Sequence, residues 1–275
     1  QYGSYVHLDI RHLGEKQIDS KLPFVRELAL NYAGIDPVKQ PIPVRPVDHY
    51  MMGGIDTDTN AATSLHGLFA AGECACVSIN GSNRLGSNSL TELLVFGARA
   101  GHRAASLAAE SQIGNVGVLE AQAVDSESRV RDLASGRGRG NETISKIRDE
   151  MTSAMESGAG IYRTEESLRA TCDKLVELRS RFENVGLDDT GRRYNTQLIA
   201  ALELDCMLDV AQSIAFSAIA RKESRGSHQR TDFPARDDGD YLKHSLAFRA
   251  DGDPRIDYKP VTITKWPPGR RVYGS

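Results

Sequence analysis

Gly67-Leu-Phe-Ala-Ala-Gly-Glu73, followed by Asn80-Gly-Ser-Asn-Arg-Leu-Gly-Ser-Asn-Ser-Leu90, is the stretch on which the reading of this chain turns. The first part is an apolar run ending on an acid, which predicts a compact strand closing on a carboxylate. The second is a loop of glycine and small polar residues. It leads into Leu90, Leu93, Leu94 and Phe96, spaced as a helix that runs to about Ala109, with Ser87 to Ser89 as N-cap residues. Strand, glycine-bearing loop and helix N-terminus in this order can hold a cofactor. The carboxylate accepts hydrogen bonds from sugar-like hydroxyls, glycine lets backbone N–H groups approach closely, and the helix end adds positive potential. A tight strand-loop-helix turn with capping side chains fits the same letters equally well.

Two residues near this stretch have chemistry to offer. Arg84 lies among small polar residues, where a guanidinium either takes a carboxylate with two parallel hydrogen bonds or simply ties down the loop. His49, in Asp48-His-Tyr-Met-Met-Gly-Gly54, follows a connector stiffened by Pro41, Pro43 and Pro46 that reads as a domain crossing. Its imidazole suits a ligand, and it suits equally a buried histidine satisfied by hydrogen bonds.

Working outward, Val6, Leu8 and Ile10 alternate as on a half-buried strand, and Phe24, Leu28 and Tyr32 recur at helical spacing. Because the first residue is Gln1 and the chain starts close to that strand, the expectation is a chain cut at its start. Beyond residue 110, amphipathic helices are predicted near 117–134, 142–156, 165–184 and 195–222. The third carries Leu168, Cys172, Leu175, Leu178 and Phe182 on one stripe after Thr164 as cap. Arg221-Lys-Glu-Ser-Arg-Gly-Ser-His-Gln-Arg230 ends the last helix as a dense polar cluster, which reads as a solvated helix end, a docking surface or a brace against the cofactor segment. Strand alternation returns in Val261 to Thr264.

Composition narrows the classes. An apolar content of 40% in 275 residues supports a real core. The longest apolar runs, Leu68 to Ile79 and Val210 to Ala220, are too short to cross a bilayer. A net charge of -3 gives no general attraction for nucleic acid or an anionic membrane. The four cysteines form no CxxC pair and point to a reducing compartment without a zinc site or disulfide scaffold. Cys74 and Cys76, alternate residues on a strand-like segment, are expected to be small core residues. Gly136-Arg-Gly-Arg-Gly140 follows no strand and reads as a flexible linker rather than a nucleotide loop. Asn141-Glu-Thr143 fits a glycosylation pattern with no sign of secretion to support it.

His49-Tyr-Met-Met-Gly-Gly54, the Gly67–Glu73 and Gly81–Leu90 stretches, and Arg221-Lys-Glu-Ser-Arg-Gly-Ser-His228 together resemble the flavoprotein subunits of fumarate reductase and succinate dehydrogenase, closest to the bacterial quinol:fumarate reductase branch. The resemblance runs from Val6 to Gly274 and includes Ile147-Arg-Asp-Glu-Met151, Gly160-Ile-Tyr-Arg-Thr164, Lys243-His-Ser-Leu-Ala-Phe248 and Arg271-Val-Tyr-Gly274. It implies a mixed α+β fold in four parts: the end of a capping domain (1–46), the C-terminal segment of a Rossmann-like FAD-binding domain (47–109), a helical bundle domain (110–225) and a small C-terminal domain (226–275). It implies FAD as cofactor and fumarate or succinate as substrate, with hydride passing between flavin N5 and a substrate carbon.

In the resembling family the substrate carboxylates would fall to His49 and Arg84. FAD would be held by His49, Tyr50, Glu73, Arg84, Leu85, Gly86, Ser87, Asn88, Ser89 and Leu90, with Glu73 on ribityl or ribose hydroxyls and the following helix aiming its positive end at the flavin pyrimidine. The family's GxGxxG turn, its covalently linking histidine and its arginine proton donor have no match here and are expected upstream of residue 1. The resemblance therefore assigns no catalytic proton donor within this chain and predicts that the chain alone is inactive. Implied partners are an iron-sulfur subunit and membrane anchor subunits, at the cytoplasmic face of a bacterial inner membrane. Two other readings compete: an L-aspartate oxidase, which shares a similar Asn-Arg-Leu-x-Ser-Asn-Ser-Leu loop, and a non-catalytic helical docking module formed by residues 110–275.

Overall fold

The structure is a computed structural model describing residues 5–112, 114–135, 140, 142–191 and 193–269, and the chain divides into two compact units between Tyr50 and Met51. The 136–139 part of the glycine run, Asn141 and the Arg271–Gly274 segment lie outside the described residues.

In the first unit β1 (Val6–Leu8) pairs antiparallel with β2 (Ile42–Val44), with Val6 opposite Val44. Two helices, α1 (Glu15–Lys21) and α2 (Pro23–Leu28), lie between them in sequence, and a wide helical turn over Ala29–Ala33 extends α2. Pro23 occupies the start of α2, where no amide hydrogen is needed. The core is Ile10, Ile18, Ala29 and Ile42, with Leu13, Leu22 and Val25 packed on it. The expected stripe of Phe24, Leu28 and Tyr32 faces outward, with Tyr32 86% exposed. Leu22, Val25 and Ala29 form an equally regular stripe, and the turn of the chain selects that one for the core. Val6 and Leu8 are likewise exposed, so β1 contributes to this core only through the residue beyond it, Ile10.

The second unit opens with a parallel pair, β3 (Ile55–Asp56) and β4 (Ala75–Cys76), with Ile55 opposite Ala75. Gly54 has φ +137°, and a Cβ there would lie 2.5 Å from the Cys74 carbonyl oxygen, so only glycine lets the two chains close. The strand expected at 67–73 forms instead at Ala75–Cys76. Residues 67–70 fold back on 61–63, with the Ala70 N–H on the Ala61 carbonyl at 3.0 Å, and a turn closed by the Ala75 N–H on Gly72 at 2.9 Å interrupts the run. Cys74 is exposed and Cys76 half-buried, against the expectation of core residues, because β4 has a single strand neighbour.

After the loop, α3 (Asn88–Glu110) starts from Ser87, which has a left-handed backbone and makes no side-chain cap hydrogen bond. The capping expectation for Ser87 to Ser89 thus gives way to a sharp backbone turn. The apolar residues Leu90, Leu93 and Leu94 of α3 are exposed, and the buried position is Glu92, whose carboxylate accepts from Asn80 at 2.7 Å.

Four helices form near the positions their periodicity predicts, α4 (Val116–Ala134), α5 (Ile144–Gly158), α6 (Glu165–Phe182) and α7 (Thr196–Ala220), but only α5, α6 and α7 share a core, since α4 buries none of its residues. Thr164 and Ser167 close a capping box at the start of α6, and Leu168, Cys172, Leu175, Leu178 and Phe182 are all buried. Cys172, Leu175, Leu178 and Phe182 meet Ile144, Ile147 and Met151 of α5 and Leu204, Leu208, Ala211 and Ala215 of α7 in one core, and Leu168 packs in a smaller cluster with Ala159 and Ala218. Beyond α7, β6 (Gln229–Arg230) pairs parallel with β5 (Tyr162–Arg163), and β7 (Lys243–Phe248) forms a hairpin with β8 (Arg255–Pro260). The strand expected at Val261–Thr264 is absent: Lys243, the first residue of β7, already pairs with Pro260, leaving no partner beyond it.

Candidate functional site

Glu73, within the turn into β4, is exposed and accepts the Met51 N–H at 3.0 Å through one carboxylate oxygen. The loop 80–87 then carries the chain into α3. Its Arg84 is half-buried, its backbone N–H meets the Met52 sulfur at 3.3 Å, and its Nη1 donates to the Leu85 carbonyl at 3.2 Å. Leu85, Gly86, Ser87, Asn88 and Leu90 are exposed around the start of α3, and Ser89 is half-buried. Glu73 and residues 84–90 all belong to the second unit, where Met51 meets Glu73 and Met52 meets Arg84. His49 and Tyr50 belong to the first unit. His49 is exposed.

The polar cluster after α7 is a brace and not a solvated end. Glu223 is fully buried and holds Arg221 at 3.0 Å and Arg225 at 2.8 and 2.9 Å. Arg230 is 1% exposed, forms ion pairs with Asp232 at 2.7 Å and Glu165 at 3.1 Å, and reaches carbonyls of the last turn of α7, where a cation suits the helix dipole. His228 faces the Arg163 guanidinium at 3.0 Å through Nδ1 and the Arg221 carbonyl at 3.1 Å through Nε2. Arginine can only donate and a carbonyl only accept, so the imidazole carries its proton on Nε2. Burial, reinforced by the neighbouring cations Arg163, Arg221 and Arg230, pushes its pKa down to about 4.

From this brace and the hairpin beyond it, the C-terminal residues reach the 51–90 segment. Ser227 donates to the Ser82 carbonyl from both its N–H (2.9 Å) and its hydroxyl (2.8 Å). Ser78 Oγ lies 2.9 Å from His244 Nε2, and Lys259 Nζ lies 2.5 Å from Asp56. Residues 145 to 203 positions apart make these contacts, and no spacing rule in the sequence reveals them. Among the described residues no group of His, Cys, Asp and Glu is placed to hold a metal ion, and no helix is long and apolar enough to cross a membrane.

Comparison with known proteins assigns a class first. Residues 1–90 match the FAD binding domain model and residues 148–273 match that of the fumarate reductase flavoprotein C-terminus, so the chain is of flavoprotein type. It is 56% identical to the fumarate reductase flavoprotein subunit of Mycobacterium tuberculosis strain H37Rv, covering 99% of this chain and 48% of that protein. It is 54% identical to the subunit of the same name from Escherichia coli K12, again over 99% of this chain and 46% of the relative. The fold superposes on an E. coli quinol fumarate reductase chain with a TM-score of 0.93, covering 98% of this chain and 46% of that one. The chain belongs to the fumarate reductase/succinate dehydrogenase flavoprotein family and spans about half the length of the curated relatives it matches.

Proposed function

We propose that this chain supplies the flavin-facing and dicarboxylate-holding part of a fumarate reductase flavoprotein subunit, which interconverts fumarate and succinate and exchanges electrons with quinol through an iron-sulfur subunit. The observation that carries the reading is the loop 80–87, which brings Arg84 just ahead of the start of α3 and ties its N–H to Met52, while the N–H of the adjoining Met51 is held by the exposed carboxylate of Glu73.

These residues fit FAD. The N-terminus of α3, where the Asn88 and Leu90 N–H groups close the turn on the Leu85 and Ser87 carbonyls at 3.2 Å, offers positive potential to the pyrimidine edge of a flavin, and the bare leucines Leu85, Leu90 and Leu94 offer apolar surface. Glu73 keeps a carboxylate oxygen beyond the one bonded to Met51, as hydroxyl recognition needs. Tyr50, Gly86, Ser87, Asn88 and Ser89 complete the proposed cofactor contacts. Bound there, the flavin would supply hydride from N5 to a carbon of fumarate when reduced and accept hydride from succinate when oxidised.

The chain's own residues do the positioning. Arg84 takes a substrate carboxylate in a two-point grip, and the exposed imidazole of His49 is assigned the same kind of contact. Withdrawing charge through the carboxylates makes the alkene a better hydride acceptor and holds it in line. Docking to an iron-sulfur subunit and membrane anchors, on the cytoplasmic face of a bacterial inner membrane and without a span of its own, completes the proposal.

The test uses the full-length subunit with FAD. Arg84→Ala and His49→Ala should each weaken malonate, read from the flavin absorbance, by about 100-fold. Unchanged turnover in both variants would favour a docking module, and aspartate oxidation without fumarate reduction would favour an aspartate oxidase.

A further inference from the structure

The loop that carries Arg84 is not held by its own neighbourhood alone. Ser82, two residues earlier, gives its carbonyl to both donors of Ser227, at 2.9 and 2.8 Å. Gly226 makes that approach possible. It sits at φ +59°, and a Cβ built on it would lie 2.5 Å from the Ser82 carbonyl oxygen and 2.6 Å from its carbon. The two backbones are therefore in contact at a point that admits no side chain.

The turn that presents these donors is rigid. Arg225 and His228 exchange backbone hydrogen bonds at 2.8 and 3.0 Å, and Gln229 Nε2 donates to the Gly226 carbonyl at 2.8 Å. Glu223, fully buried, grips Arg225 on one side of the turn, and Arg163 fixes His228 on the other. A buried, fully paired ion cluster of this kind resists rearrangement, because moving any member leaves a charge without a partner in a low-dielectric interior. The turn thus transmits the position of α6 and α7 to the loop 80–87.

We propose that Gly226 and Ser227 form a latch that positions Arg84, so that the helical half of the chain sets the placement of the substrate-holding guanidinium without touching substrate. The proposal rests on Arg84 being a carboxylate-binding residue, and Gly226 and Ser227 are positioning residues in it.

The experiment compares Gly226→Ala, Ser227→Ala, Ser227→Thr and Arg84→Ala in the full-length FAD-loaded subunit. Three readouts are taken: the malonate Kd from flavin absorbance, kcat and KM for fumarate, and hydrogen exchange of the peptide covering residues 80–90. Gly226→Ala should raise the malonate Kd and the fumarate KM by about tenfold, change kcat less than KM, and speed exchange in that peptide. Ser227→Ala keeps the backbone donor and should raise the Kd by about threefold, with Ser227→Thr restoring it. If Gly226→Ala and Ser227→Ala leave Kd and exchange unchanged while Arg84→Ala weakens malonate, the latch is wrong and the site reading stands. If Arg84→Ala itself leaves malonate binding unchanged, the assignment of Arg84 fails and the latch loses its function with it. Should Gly226→Ala fold poorly, Ser227→Ala alone decides, since a loss of stability with unchanged Kd and exchange overturns the proposal.

Discussion

Arg181 grips Glu142 side-on, with Nε on one carboxylate oxygen and Nη2 on the other, both at 3.0 Å. The same guanidinium reaches both oxygens of Glu150 at 2.7 and 2.9 Å and Glu177 at 2.8 Å. One planar cation thus ties α6 to α5 and to Glu142, which lies next to the N-cap of α5, a task its fork geometry suits and an ammonium does not. Removing it by Arg181→Ala leaves three carboxylates facing one another. The midpoint of chemical unfolding should fall, by less at 1 M salt than at low salt, and Arg181→Lys should recover little of it.

The same cluster makes a prediction about acid. Hydrogen bonds from Arg181, then from Lys174, hold Glu150 down to about 2, and Glu142 is lowered by Arg181 as well. A carboxyl with a folded pKa below its unfolded one adds stability that is complete above the ordinary carboxylate range and is lost as pH falls toward the folded value. Unfolding free energy measured from pH 5 to 2 should therefore decline, and Arg181→Ala should flatten that decline.

His228 acts in a higher window. Its folded pKa of about 4 lies below the ordinary histidine value of 6.5, so the unfolded chain binds the proton that the folded chain refuses. Stability should be intact above pH 6.5 and fall between pH 6.5 and 4, by at most roughly 3 kcal/mol. His228→Gln should be less stable at pH 8 and show a flatter profile across that interval, measured by urea titration at each pH.

Leu175 sits fully buried in the middle of the three-helix core. Leu175→Ala should cost about 2–5 kcal/mol through lost transfer energy and the cavity left behind. Leu175→Met should cost less than about 1.5 kcal/mol, since it conserves volume. Thermal and denaturant unfolding of the two variants checks the difference.

Gly54 offers a localised counterpart. Gly54→Ala drives a methyl into the Cys74 carbonyl and strains the backbone at φ +137°. The parallel pair of β3 and β4 should open, seen as faster hydrogen exchange at Ile55 and Thr57, whose N–H groups now bond the Cys74 and Cys76 carbonyls at 2.9 and 3.3 Å.

Much of this chain is written in local pattern. The helices of the bundle, the Leu168-to-Phe182 stripe and the Thr164 cap follow from a period of 3.6 residues and a short-range hydrogen bond, both complete within one element. The loop Asn80–Leu90 is legible for the same reason, since glycine, small polar residues and a following helix are neighbours in sequence. Where several registers or stripes satisfy the same letters, local pattern gives no choice. Phe24 and Tyr32 read as core until Leu22, Val25 and Ala29 took their place, and the run 67–73 read as a strand until its partner lay at 75–76.

The sequence by itself determined the α6 stripe from Leu168 to Phe182, the residue types available at Arg84, His49 and Glu73, and the resemblance to a flavoprotein, because each of these is a property of residue types and close spacing. Tertiary structure alone decided that the charged run 221–230 is buried as a brace, and that Ser227 meets Ser82 across 145 residues. A charge costs little in water and much in the interior unless it is paired, and only the folded chain brings Glu223 between Arg221 and Arg225 and clears the space at Gly226 through which two backbones touch.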